Sequence, residues 1–322
     1  MIDLRPVGYV IGLLVACLGA AMLVPMAIDL RYGNGHWPVF LNSAAISLLT
    51  GGFLALATVN ATTSRLTLQQ TFLLTTLVWV MLPIFGAIPF LFSPVEADLT
   101  DALFEAMSGL TTTGSTVFTG LDDFPEGLLI WRSMLQWFGG IGIIVVAMVF
   151  LPELRVGGMQ IFRSEAFDTM GKILPRAAEI AAQISWIYVI LTMLCFLSYL
   201  TLGMSSFDAI NHALTTVSTG GFSTTDSSFG AFQGAPEDFA SLFMVLASLP
   251  FVRFIQLVSG TARPFFRDSQ IRAYLTVIGV TAVALALFQV AYDDRGPEES
   301  LREALFNVTS VISGTGYASV DY

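Results

Sequence analysis

The chain has 322 residues, 55% of them hydrophobic and 12% charged, with a mean hydropathy of +0.75; this is about half the charge density of an ordinary soluble domain and excludes a cytoplasmic enzyme. Fourteen basic against 24 acidic residues give a net charge of −10, which argues against nucleic acid as a partner. Two cysteines and two histidines are too few for a disulfide framework or a histidine-rich metal centre.

From the N-terminus, charge-free apolar runs cover 7–28, 66–95, 180–207 and 273–292. At 1.5 Å per residue, about 20 residues of helix cross the ~30 Å hydrocarbon core of a bilayer. Hydropathy as a whole predicts seven spans, at 7–29, 38–59, 68–92, 128–151, 179–202, 239–261 and 273–292. The first is a membrane helix and not a cleaved signal, because its apolar run is too long and no small-x-small site follows. Cys17 and Cys195 lie inside spans and read as small packing residues.

Charge in the connections predicts orientation. Segments 1–6, 60–67, 152–178 and 262–272 hold nine Lys/Arg, while the alternate segments hold three, with 17 Asp/Glu. The positive-inside rule counts the basic residues and places the N-terminus in the cytoplasm, with an acidic rim outside.

Three of the outward segments, 98–114, 205–221 and 300–316, align without gaps as one 17-residue pattern. Each opens with an acceptor followed three residues later by a carboxylate: Asp98 and Asp101, Ser205 and Asp208, Ser300 and Glu303. That pattern predicts a helix start. About twelve mainly apolar residues then give ~18 Å of helix, half a bilayer. The pattern closes on Thr111-Thr112-Thr113-Gly114, Ser218-Thr219-Gly220-Gly221 and Ser313-Gly314-Thr315-Gly316, where glycine allows positive φ. The expected element is a re-entrant hairpin, tolerated at membrane depth only where it is buried in protein or lines water. A descending helix directs its negative C-terminal pole inward and favours a cation. No charged side chain occurs in 111–116, 214–225 or 307–320, which leaves backbone and hydroxyl oxygens as ligands. Such neutral oxygens suit a weakly hydrated monovalent cation, whereas a divalent ion would recruit carboxylates.

Several strings are more specific. Thr111-Thr-Thr-Gly-Ser-Thr116, Trp131-Arg-Ser-Met-Leu-Gln-Trp-Phe-Gly-Gly-Ile-Gly-Ile-Ile144, Leu151-Pro152, Val156-Gly-Gly-Met-Gln160, Ser218-Thr-Gly-Gly-Phe-Ser223 and Ser313-Gly-Thr-Gly-Tyr317 together resemble the Trk/Ktr/HKT superfamily of potassium transporters, most closely its bacterial TrkH-type branch. The resemblance covers essentially the whole chain. It implies an all-α polytopic membrane protein of potassium-channel-like span, pore-helix, span units, preceded by two extra N-terminal helices. By that scheme 1–64 is the two-helix domain, 65–152 the first unit, 153–178 a cytoplasmic connection, 179–262 the second unit and 263–322 an incomplete third.

The resemblance further implies a potassium filter carried by the three closing tetrapeptides, with Gly114, Gly221 and Gly316 as its key glycines. In plant relatives a serine in place of the first glycine goes with sodium transport, so Gly114 favours potassium. It also implies a homodimer of pores in a bacterial inner membrane, in contact with lipid and gated by a cytoplasmic nucleotide-binding regulator of the TrkA type. The only bound species expected is the potassium ion, with no organic cofactor. Four units surround one pore in the family, and this sequence runs to Tyr322 within the third, so a chain truncated from a longer transporter is expected. About 150–160 further residues would complete one helix, one connection and one unit. The competing readings are a non-conducting regulatory or assembly subunit and a sodium-permeable relative. An intramembrane enzyme ranks last, since no Ser/His/Asp set or paired aspartate shares a membrane depth.

Some single residues carry lesser expectations. Gly139, Gly140 and Gly142 read as a close helix-packing surface. Arg132 and Arg253 read as snorkelling side chains and possible modulators of the filter, Arg132 with Asp123 as a candidate partner. His212 reads as a packing residue of the second short helix. The stretch 153–176 is the expected contact for a soluble regulator.

Overall fold

The computed structural model describes residues 3–61, 66–95, 97–154, 177–292 and 296–320. Within the bilayer each backbone N–H and C=O must be satisfied inside its own segment, and the apolar runs are accordingly helical. Five stretches are long and apolar enough to cross a membrane among the described residues: Arg5–Tyr32, Trp37–Thr58, Gln69–Phe92, Ala181–Thr201 and Ser269–Tyr292. The regulator contact expected at 153–176 falls almost wholly outside the described residues, as do Arg65, Arg155, Arg163, Lys172, Arg176 and Arg295 of the charge count. The chain divides into two compact units.

The first unit comprises Met1–Thr111 and Ser115–Leu135. Helices α1 (Arg5–Ala21) and α2 (Leu23–Tyr32) form the first span, and Gly33 ends it at φ 68°. Helix α3 (Trp37–Thr58) packs on α1 through small residues. A Cβ at Gly12 would come within 2.6 Å of the Ala55 nitrogen and 2.7 Å of the Gly51 oxygen, so glycine is what lets the two backbones touch. Helix α4 (Leu68–Gly86) opens on a complete capping box, Thr67 with Gln70. The Gln70 amide also donates to the Asp3 carbonyl at 2.7 Å. Helix α5 (Ile88–Phe92) and helix α6 (Leu99–Leu110) follow, and then the first part of α7 (Glu126–Leu154). Asp29 is fully buried and its Oδ1 accepts from the Gly127 N–H at 2.7 Å. A carboxylate from α2 thus meets an N–H that the first turn of α7 leaves unpaired. Asn34 donates to both Asp29 and Glu126.

The second unit comprises Thr112–Gly114 and Gln136–Tyr322. After the remainder of α7 come α8 (Ala177–Thr201), α9 (Ser206–Val217), α10 (Ala235–Ser248), α11 (Phe251–Val258), α12 (Arg263–Arg267), α13 (Ser269–Tyr292) and α14 (Pro297–Ser313). Its core gathers Tyr188, Cys195, Tyr199, Phe229, Phe306 and Tyr317. Cys195 packs there as a small hydrophobe, and Cys17 lies on an exposed face.

Two expectations need correction. The span at 239–261 is not one helix: α10 and α11 meet at a 91° bend. Pro250 lacks an N–H and forces the residue before it out of the helical region, and Leu249 is extended at φ −76°, ψ 151°. The third short helix does not start at Ser300. Pro297 sits in its first turn with Gly296 as N-cap, because proline's fixed φ suits that position. Ser300 and Glu303 are therefore buried within the helix instead of capping it.

Arg253 also departs from expectation. It does not snorkel: its Nε pairs with Asp268 at 2.7 Å, and Nη1 donates to Gln256 at 3.0 Å. Burial pushes the Asp268 carboxyl up, but hydrogen bonds from Arg253 and from the Gln270 and Ile271 N–H groups outweigh it and hold the pKa below the usual carboxylate value. A carboxyl depressed in the folded state stabilises above its unfolded pKa and loses that contribution as pH falls through the folded one. Asp268→Asn is therefore expected to lower stability at neutral pH and to flatten the acid side of a melting-temperature profile below about pH 4. Parallel acid limbs in the two proteins would refute this.

Candidate functional site

The three aligned segments adopt one backbone form. The Asp98 carboxylate accepts from the Asp101 N–H at 2.8 Å and caps α6, and Ser205 Oγ accepts from the Asp208 N–H at 3.0 Å and caps α9. Thr111 and Ser218 close their helices in αR conformation. One residue later each chain turns left-handed, at Thr112 (φ 56°), Thr219 (φ 51°) and Gly314 (φ 78°). Two residues further it does so again, at Gly114 (φ 79°), Gly221 (φ 75°) and Gly316 (φ 84°). Matched left-handed residues at two positions of three separate segments are a shared structural device. Threonine at positive φ is a steric outlier, costing about 1–3 kcal/mol where the surroundings enforce it. The helix ends help enforce it: the Gly221 and Gly316 N–H groups donate to Thr215 and Ser310 carbonyls, at 3.4 and 3.3 Å.

Within the second unit Thr112–Gly114 and the second and third tetrapeptides come together. A Cβ at Gly114 would overlap the Gly220 carbonyl oxygen and lie 3.2 Å from its carbon. A Cβ at Gly221 would overlap the Thr315 carbonyl oxygen, with Thr315 C at 2.9 Å and Gly316 C at 3.3 Å. The relation is handed: the glycines of the first and second strands each abut the carbonyl that precedes the glycine of the following strand. At Gly316 a Cβ would meet nothing within 4 Å. Ser218 and Thr315 are buried, Ser313 Oγ bonds Thr315 Oγ1 at 2.7 Å, and Thr219 Oγ1 donates to the Ser218 carbonyl.

Polar residues behind the strands escaped the sequence reading, though a signal existed. The eighth position of the aligned pattern holds Glu105, His212 and Asn307, polar residues in helices otherwise mainly apolar. Each reaches a hydroxyl just beyond its own glycine. Glu105 accepts from Thr116 Oγ1 at 2.9 Å, His212 Nε2 meets Ser223 Oγ at 3.0 Å, and Asn307 donates to Ser319 Oγ at 2.9 Å. The eleventh position adds a second tie in two segments, Ser108 Oγ to the Ser115 carbonyl and Ser310 Oγ to the Tyr317 carbonyl, at 2.6 and 2.8 Å. His212 packs as expected, edge-on to Phe229 and Phe232, but also holds this tie.

Arg132 is corrected in the same way. It is 1% exposed, and its Nε pairs with Glu105 at 2.7 Å while Nη2 donates to Thr116 Oγ1 at 3.2 Å. It does not snorkel, and Glu105 takes the role expected of Asp123. Of the α7 glycines, Gly140 packs tightly: a Cβ there would lie 2.5 Å from Tyr188 Oη and 3.0 Å from Ser218 Cβ. Gly142 has nothing within 4 Å.

No set of three or more His, Cys, Asp or Glu groups suited to a metal ion occurs among the described residues. What the three strands offer is backbone and hydroxyl oxygen from matched, irregular segments between membrane helices.

Comparison with known proteins accords with this geometry. A sequence model of the TrkH family, described as a cation transport protein, matches residues 36–322. The chain is 41% identical over 255 residues to the Trk system potassium uptake protein TrkI of Halomonas elongata, covering 79% of this chain and 52% of that protein. It is 35% identical to TrkH of Escherichia coli strain K12, covering 98% of this chain and 66% of the relative. The crystal structure of the potassium transporter TrkH from Vibrio parahaemolyticus superposes with a TM-score of 0.88 at 31% identity, covering 99% of this chain and 66% of that one. The chain thus spans between half and two thirds of the length of these relatives. The family carries cations rather than catalysing a reaction, and the helices of this chain are those of an integral membrane protein. With a family match over most of its length and three strands that share one backbone form, the chain belongs to the TrkH family of cation transport proteins.

Proposed function

We propose that the protein forms part of a potassium uptake pathway, in which the tetrapeptides ending at Gly114, Gly221 and Gly316 are strands of a selectivity filter. The observation that carries the reading is the repeated pair of left-handed residues on three mutually contacting strands. Alternating the backbone in this way turns successive carbonyls out of helical register, and close strands at membrane depth are the arrangement by which carbonyl oxygens replace a cation's water shell. The potassium ion is cargo, and no organic cofactor is needed. The units at 65–152, 179–262 and 263–322 stand for three of the four that the family resemblance implies, behind the helix pair within 1–64. The orientation with the N-terminus in the cytoplasm of a bacterial inner membrane, pairing of two copies, and control by a nucleotide-binding regulator of the TrkA type belong to the same proposal. Broadly exposed apolar side chains such as Phe53, Leu56, Val280 and Leu287 favour lipid contact.

The test is ion flux by the intact protein in liposomes. Potassium uptake should exceed sodium uptake, and Gly114→Ser should reduce that preference, because a Cβ at φ 79° cannot share space with the Gly220 carbonyl. Equal preference in the two proteins would remove Gly114 from the filter.

A further inference from the structure

We infer that Gln136, on α7, is a positioning residue that sets ion selectivity by fixing the Gly220 carbonyl; the inference rests on the filter reading above. Gln136 is 0% exposed. Its Nε2 donates to the Gly220 carbonyl at 2.6 Å, and its Oε1 accepts from the Phe222 N–H at 3.1 Å. One amide therefore grips the second strand on both sides of Gly221. The orientation of the amide is unambiguous, since a carbonyl can only accept and a backbone N–H only donate.

The sequence carries the imprint of this grip. At the position before the key glycine the first and third strands have Thr113 and Thr315, whereas the second has Gly220. Gly220 is not among the glycines at positive φ, so its backbone does not demand glycine. Space does: a Cβ at Gly220 would lie 2.5 Å from Gln136 Oε1 and 2.7 Å from Nε2. The flat face of the amide occupies the place of the missing side chain, and Gln136 and Gly220 form a matched pair.

The consequence falls on the first strand. The Gly220 oxygen held by Gln136 is the one that a Cβ at Gly114 would overlap, so it defines the spacing between strands one and two. A carbonyl engaged in a short hydrogen bond from a buried donor is fixed in direction. It cannot swing to follow a smaller ion, and a ring that cannot contract disfavours sodium. Gln136 thus supplies rigidity at the point where adjacent strands meet, without touching the ion.

The experiment compares potassium and sodium uptake by the intact protein in liposomes, with size-exclusion profile and thermal stability measured alongside. Gln136→Met keeps the length of the side chain but loses both the donor to Gly220 and the acceptor for Phe222. It is expected to lower the potassium-to-sodium ratio at least tenfold while the protein remains monodisperse. Gly220→Ala is expected to fold poorly, and adding Gln136→Ala should restore the yield, since the methyl group then has room, but not the ratio. Trp137→Phe, which removes the hydrogen bond to Thr192 and part of the ring packing on Tyr188 but leaves the Gln136 amide in place, should leave the ratio unchanged. A selective wild type with an unchanged ratio in Gln136→Met, or a double variant that regains the ratio together with the yield, would show Gln136 to be structural only and overturn the inference. A wild type without potassium preference would overturn the filter reading itself, a result separable from either of these.

Discussion

Gly221→Ala is expected to abolish potassium uptake and Gly114→Ala to impair it severely. Both glycines are left-handed, at φ 75° and 79°, so each alanine bears a left-handed cost of about 1–2 kcal/mol. What separates them is the neighbouring strand. At Gly221 the new carbon overlaps the Thr315 oxygen and presses on two further backbone carbons, at 2.9 and 3.3 Å. Backbone atoms have no rotamer to escape into, so the second and third strands must move apart. At Gly114 the overlap is with a single carbonyl group, which Gln136 also restrains. Uptake rates compared at equal amounts of membrane-inserted protein test the order, and a Gly114 variant as inactive as the Gly221 variant would contradict it.

Glu105→Ala is expected to be the most destabilising single change in the first unit. It removes the carboxylate that pairs with the buried Arg132, 1% exposed, and strips Thr116 and the Val117 N–H of an acceptor. Removing one partner of a buried ion pair costs about 3–5 kcal/mol. Arg132→Leu should cost about as much from the opposite side. The double change Glu105→Leu with Arg132→Leu should cost less than either single one, because no uncompensated charge remains. Thermal stability in detergent reads all three variants. Additive losses in the double variant would mean that the two side chains act independently despite their 2.7 Å contact.

The membrane helices and the three short helices with their matched left-handed turns were legible in the sequence because both depend on local composition: apolar runs of bilayer length, and short helices closing on Thr, Ser and Gly. Partnership across the fold was not legible in that way. Arg132 lies nearer in sequence to Asp123, yet its partner is Glu105, 27 residues away on another helix. The column of Glu105, His212 and Asn307 was present in the alignment, but a polar residue on a short helix has no fixed direction until the strand behind it is placed. The bend at Pro250 is of another kind, since an apolar run reads as a span by hydropathy while a proline within it breaks the helix for reasons of hydrogen bonding and sterics. At Ser300 two local rules competed, and the proline at 297 prevailed over the capping pattern three residues later.

The glycine seam between α1 and α3 bears on how the chain assembles. Gly12 and Gly51 are 39 residues apart, whereas Gly114 and Gly220 are 106 apart. Contacts of short sequence separation close sooner, and domains fold from the N-terminus during synthesis. The α1–α3 hairpin can therefore lock in the bilayer while the second strand is still on the ribosome. Blocking that seam with Gly12→Leu would act during biogenesis, appearing as degradation of newly inserted chains before any ion pathway exists to be measured.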